Sequence, residues 1–224
     1  MRSGGKGLPE AWPPVPPSAA GAGSVVPLFP LPNVFLFPGT LMPLHIFEPR
    51  YRQMIEDILD GPGRLVVSAV LEGWQDQLAG APPVLPVAGL GEIARHERLQ
   101  DGRFMIWLAG LARVSLREVP SDRLYRKVEI LPLPEEPAPQ QAEQDLRARL
   151  TQAVRARAPE LSELPPELPL GRLTDLLLMN LQLPQVCMQD LYSRLAVAER
   201  AERVLKEHAQ RPLPPRRHQG GGSS

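Results

Sequence analysis

The chain has 224 residues, 25 basic against 25 acidic side chains and one cysteine, enough to bury a core in one or two compact units without disulfide or metal support. Balanced charge excludes the global positive field that draws proteins onto nucleic acid or anionic lipid, and Cys187 alone excludes an internal disulfide. The longest aliphatic run, Leu176 to Met179, falls far short of the roughly 20 apolar residues that span a bilayer.

Met1 to Glu10 is followed by Pro-rich sequence instead of an apolar signal-peptide core, so a cytoplasmic location is expected. Lysine occurs only at Lys6, Lys127 and Lys206, an arginine bias that reads as the codon usage of a GC-rich bacterial genome. The 28 prolines cluster and serve as punctuation for tails and linkers. Residues 1–23 and 211–224 hold too little apolar surface to offset the entropy of ordering them, and both are expected to be disordered tails.

From residue 24 to 133 short β-type runs alternate with turn chemistry: VVPLF, LMPLHIF, RLVVSAVL, RFMIWLA, LARVSLREV and YRKVEILPL. One helix interrupts them. Pro49 suits its first position, Tyr51, Met54, Ile55, Ile58 and Leu59 share one apolar face, and Gly61-Pro62-Gly63 ends it. Asp101-Gly102 predicts a hairpin with positive φ at both residues. After a Pro-rich linker over 134–140 the period becomes helical, predicting helices over 140–157, 171–183 and 186–209 in a bundle spanning 141–210. In the last of these, Met188, Leu191, Leu195, Ala198, Ala201 and Leu205 form the core stripe, with Glu199, Arg200, Glu202, Arg203 and Lys206 largely off it.

Read as one string, SVVPLFPLPNVFLFPGTLMPLHIFEPRYRQMIEDIL resembles the opening of the Lon N-terminal domain family, also called the LON substrate-binding domain. In that family a strand, a Pro-rich connection, a strand ending in histidine and a helix opened by Glu-Pro-Arg-Tyr follow in this order. GEIARHERLQDGRFMIWLAGLARVSL resembles the family's paired strands, and LYRKVEILPL the strand that closes its β domain. The resemblance implies an α+β chain, with an N-terminal PUA-like β pseudo-barrel holding one inserted helix, then a helical bundle. It also implies a non-catalytic module that binds unfolded or partly unfolded polypeptides and passes them to a separate protease or chaperone.

The chain has no GxxxxGK[ST] loop to cradle nucleotide phosphates, and its three lysines offer little for a Ser-Lys peptidase pair. No enzyme activity, cofactor or metal site is therefore expected: His96, His208 and His218 are scattered. His45, Glu48, Arg50 and Tyr51 are expected to shape a strand–helix junction, with His45 bonded to a nearby carbonyl or carboxylate. Cys187, near a helix start, is expected to be an inert small hydrophobe despite the acidifying effect of a helix N-terminus.

Arg95, Arg98, Arg103, Arg113, Arg117, Arg123, Arg126 and Lys127 are interleaved with carboxylates, as on an ordinary solvated sheet face. RNA binding by a PUA-like module is the alternative function, and it needs those cations gathered on one face with aromatic groups to stack. The principal candidates for binding peptide are apolar: Phe35, Phe37, Met42 and Phe47 near Pro-rich turns, and Trp74 in GWQDQ. A groove beside the join of the two halves is the expected place for them.

Overall fold

The computed structural model describes residues 23–78, 80–161 and 163–214; of the tails expected at 1–23 and 211–224, residues 1–22 and 215–224 lie outside them. The chain divides into two compact units at Pro134/Glu135. The first contains β1 (Ser24–Leu31), β2 (Leu41–Ile46), α1 (Pro49–Leu59), β3 (Arg64–Ala69), β4 (Val87–Arg98), β5 (Phe104–Val119) and β6 (Arg126–Pro132), and the second contains α2 (Gln140–Arg157), α3 (Leu170–Met179), α4 (Gln185–Ser193) and α5 (Val197–Ala209).

The six strands run in the order β2-β5-β4-β3-β1-β6, and β6 also pairs with β5. That extra ladder closes five strands into a barrel and leaves β2 outside it as an edge strand, which matches the expected pseudo-barrel. All pairings are antiparallel except β1 with β3. The runs RFMIWLA and LARVSLREV join into the single strand β5, whose first half pairs with β2 and β4 and whose second half pairs with β4 and β6.

Two apolar clusters explain why β1 and β3 read as continuous apolar runs instead of alternating ones. Val26, Leu28, Val66, Leu90, Val114, Val128 and Ile130 pack together in one, while Phe29, Leu65 and Val67 pack with Tyr51, Met54 and Ile55 of α1 in the other. Strands buried on both faces lose the period-two signal. α1 starts at Pro49 and ends before Gly63, whose φ of 65° lets its N–H return to the Ile58 carbonyl.

The segment 33–37, NVFLF, crosses the sheet where β4 and β5 carry glycine. A Cβ on Gly89 would collide with the Leu36 carbonyl, one on Gly110 with the Phe37 carbonyl, and one on Gly91 would come within 2.6 Å of the Leu108 side chain. Backbone approach this close needs residues without side chains, and it buries Leu36 and Phe37. Arg113, expected on a solvated face, is only 1% exposed, with its guanidinium 5.7 Å from the centroid of the Phe37 ring. The Asp101-Gly102 hairpin forms, but only Gly102 has positive φ. Leu99 accepts from Gly102 N–H and donates to Arg103, so the loop is one residue longer than a type I′ turn.

In the second unit α2 covers the predicted residues and α3 ends at Met179. The predicted 186–209 helix is two helices, since Arg194 is extended (ψ 119°) and ends α4. The break arises because Glu136 pairs with Ala196 as an isolated parallel bridge, accepting from Val197 N–H and donating to the Leu195 carbonyl. Arg200, read as lying off the apolar stripe, is fully buried. It reaches the Asp175 carboxylate at 3.4 Å, the Glu135 carboxylate and the Arg194 carbonyl at 2.5 Å. The start of the expected linker is thus anchored by charge. At the far end Arg157 binds the His208, Arg211 and Pro212 carbonyls, holding residues expected to belong to the tail.

Candidate functional site

β2 and the first half of β5 form a wing with the end of β4. Its inner side carries Met42, Leu44, Ile46, Phe104, Ile106 and Leu108, which belong to the cluster around α1. The strand period of two puts the intervening residues on the opposite side. Leu41 faces Ala109, Pro43 faces Trp107 and His45 faces Met105, while Arg95 and Glu97 of β4 flank Trp107 and Met105 from the other side. Leu41, Pro43 and His45 are exposed, and Met105 and Trp107 are half-buried. Phe47 continues the alternation past the end of β2 and is 59% exposed. The outcome is an uncovered apolar platform on a strand pair whose other side is core.

Two ring contacts organise this face. The Arg95 guanidinium lies 4.7 Å from the Trp107 ring centroid, within cation–π range. The His45 and Phe47 rings are 5.8 Å apart and tilted by 49°, a common aromatic geometry. His45 therefore lies on the exposed side against Phe47 instead of tying the junction to a carbonyl.

Arg50 makes that tie. It donates to Glu48 at 3.0 Å, to the Leu78 carbonyl at 2.5 Å and to the Gly80 carbonyl at 3.4 Å, and it stacks 4.5 Å from the Tyr51 ring centroid. Trp74, 44% exposed, is carried by the loop so anchored. Tyr51 is buried against Phe29, and burial above all pushes its phenol up to about 12. It stays neutral and serves packing.

Of the five apolar candidates, Phe47 and Trp74 present surface, Phe35 and Met42 are half-buried, and Phe37 is in the core. Phe37 is withdrawn from any peptide surface because the three glycines draw its segment against the sheet. Leu41, Pro43, Met105 and Trp107 were missed. Their signal was available: LMPLHIF and FMIWLA are apolar at both odd and even positions, so two neighbouring strands could bury only one of two apolar faces.

The basic residues of the β unit are mostly neutralised in pairs. Arg98 meets Glu56 at 3.1 Å, Arg103 meets Asp101, Arg117 meets Glu129, Arg123 meets Asp57, Arg126 meets Glu118 and Lys127 meets Asp122. With Arg113 buried, these do not form a phosphate-tracking stripe. Cys187 is half-buried, and burial above all raises its thiol pKa. Among the described residues no group of three His, Cys, Asp or Glu side chains could hold a metal ion, and no helix is long and apolar enough to cross a membrane.

Residues 25–209 match the family model described as the ATP-dependent protease La (LON) substrate-binding domain. The chain belongs to this family. It is 23% identical to a Lon protease of Anaeromyxobacter dehalogenans over 217 residues, covering 91% of this chain and 25% of that protease. The curated relatives it matches are Lon proteases of which it spans a quarter or less. Among solved structures, its fold is similar to the N-terminal domain of Mycobacterium avium complex Lon protease (TM-score 0.64, 17% identity, 84% of this chain and 100% of that one). It is likewise similar to a Lon N-terminal domain protein from Xanthomonas campestris (TM-score 0.61, 20% identity, 85% and 99% covered). The description of the family is that of a substrate-binding domain.

Proposed function

We propose that the outer face of the wing, formed by Leu41, Pro43, His45, Phe47, Met105 and Trp107, binds exposed apolar segments of unfolded or partly unfolded polypeptides without ATP. The observation that supports this reading is the uncovered apolar face on a strand pair whose opposite face is already core. Burial of apolar area supplies the affinity, at ~25 cal/mol per Å², so binding is weak, tolerant of sequence and nearly insensitive to salt. The bound segment is held, or handed to a separate protease or chaperone in the same cytoplasm.

Titration of a fluorescent apolar peptide, a scrambled polar peptide and single-stranded RNA at low and moderate salt tests the proposal. Phe47→Ser, at an exposed position, is expected to weaken apolar-peptide binding about tenfold, corresponding to roughly 1.4 kcal/mol, with melting unchanged. Full affinity in the Phe47→Ser, Met105→Ser double variant would refute the assignment. So would binding of RNA alone with a steep salt dependence.

A further inference from the structure

The wing has two edges of opposite character. Past Ile93 the pairing of β4 with β3 has ended, and there Arg95, His96, Glu97 and Arg98 are all exposed, a charged composition that keeps an edge from recruiting another strand. The other edge is β2, which ends the strand order. Its run LMPLHI holds no Lys, Arg, Asp or Glu, and within it Pro43 alone blunts pairing, by lacking an N–H.

The register decides what the β2 edge offers. In an antiparallel pair, residues whose N–H and C=O bond the partner strand alternate with residues whose groups point away from it. Thr40 and Gly110 continue the β2–β5 register, and Gly110 N–H donates to the Thr40 carbonyl at 2.9 Å. Thr40 therefore belongs to the bonded set, as do Met42, Leu44 and Ile46, and the main-chain groups of Leu41, Pro43 and His45 are turned outward. The side chains of these same three residues are the exposed ones, on the outer face of the wing. Outward donors and acceptors at strand spacing, in line with exposed side chains, are the complement of one more strand.

We propose that clients bind β2 as an added antiparallel strand. The client exchanges main-chain hydrogen bonds with Leu41 and His45 and donates one N–H to the Pro43 carbonyl. Directly opposed residues of a ladder share a face, so alternate apolar side chains of the client lie beside Leu41, Pro43 and His45. The inference rests on the assignment of the wing to client binding and names the client's chemistry: an extended segment with apolar residues at every second position and free N–H groups at those residues. Main-chain bonds supply affinity without reading sequence. The ladders of the wing itself are antiparallel, the more stable arrangement per residue. Pro43 also selects the partner. A second copy of this chain, paired β2 to β2 about Pro43, would bring two prolines face to face and form no central bond, whereas a client with any other residue there keeps the bond to the Pro43 carbonyl.

The test uses the full chain and a short fluorescent peptide alternating leucine and threonine between terminal lysines. Amide-to-ester replacement, which deletes an N–H, is made either at the leucines or at the threonines. Leucine esters are expected to weaken binding about tenfold and threonine esters to leave it unchanged, while the unmodified peptide slows hydrogen exchange at the Leu41 and His45 amides. Equal losses from the two ester sets, no loss from either, or a loss confined to the threonine esters would overturn antiparallel strand addition; the outer face would remain the client site if Phe47→Ser still weakened the peptide. A leucine-ester loss with slowed exchange, in a chain whose affinity is unmoved by Phe47→Ser with Met105→Ser, would uphold strand addition and refute binding by the outer face. A peptide that does not bind at all would overturn both.

Discussion

The two units achieve close packing by opposite chemistry. In the β unit the tightest approach is backbone on backbone: residues 33–37 cross β4 and β5 where Gly89, Gly91 and Gly110 have nothing to put in the way. In the helical unit the equivalent places are filled by long cations, with Arg200 buried among Asp175, Glu135 and the Arg194 carbonyl, and Arg157 capping the end of α5. The difference shows that closely approaching chain segments can be fixed either by removing side chains or by inserting ones rich in hydrogen-bond donors. The first device is sensitive to added volume and the second to lost charge.

The largest effect is expected from the charged device. Arg200→Ala removes a fully buried cation from beside the buried Asp175 carboxylate, and breaking a buried ion pair by deleting one partner costs about 3–5 kcal/mol; chemical denaturation measures it. Replacing both partners, Arg200→Met with Asp175→Leu, should recover most of the loss, because an apolar pair of similar volume is often as stable as a buried ion pair. A double variant no better than Arg200→Ala would mean that the carbonyl and Glu135 contacts carry the stability.

Next comes volume. Gly110→Ala drives a methyl group into the Phe37 carbonyl, a backbone atom that cannot swing away, and should cost on the order of 3 kcal/mol. Gly73→Ala is the control: its φ is 87° but nothing lies within 4 Å of the new methyl, so only the backbone strain of about 1 kcal/mol remains. Equal losses in the two variants would remove the close-approach argument.

A smaller effect, dependent on pH, belongs to the helical unit alone. His208 Nδ1 accepts from Arg157 Nε at 2.7 Å, which requires a neutral imidazole, and burial followed by the Arg157 charge pushes the histidine below its ordinary value of 6.5. A histidine depressed in the folded state contributes stability that is present above the unfolded pKa and lost as pH falls through 6.5 toward the folded value. Thermal melting should therefore decline between pH 7 and 5, and His208→Gln, whose amide oxygen accepts at any pH, should flatten that decline. An unchanged slope in His208→Gln would place the acid sensitivity elsewhere.

Much of this architecture was legible because its signals are local. Pro49, the Tyr51–Leu59 stripe and Gly63 delimit α1, and the family resemblance implied the succession of strands and helix along the chain. What escaped depends on contacts distant in sequence. Arg113 and Arg200 look like surface cations until a glycine-permitted crossing encloses the first and the carboxylates of Asp175 and Glu135, distant in sequence, enclose the second. The α4–α5 break was invisible because Glu136, about 60 residues upstream, imposes it through backbone pairing. For the site, Phe47 and Trp74 were recognisable as apolar residues near turns. For Trp107 and Met105 the sequence shows that one of two apolar faces must stay unburied, and only the strand order reveals which.

The ladder between β1 and β6 joins Ser24 to Ile130, and it has a consequence for how the protein is made. Emerging from the ribosome at about 5–20 residues per second, the first strand waits on the order of 5–20 seconds for the strand that seals the barrel. During that interval VVPLF has no partner on that side. A nascent chain from whose exposed part residues 126–132 are missing should therefore be a better target for chaperones than one released far enough to expose both strands.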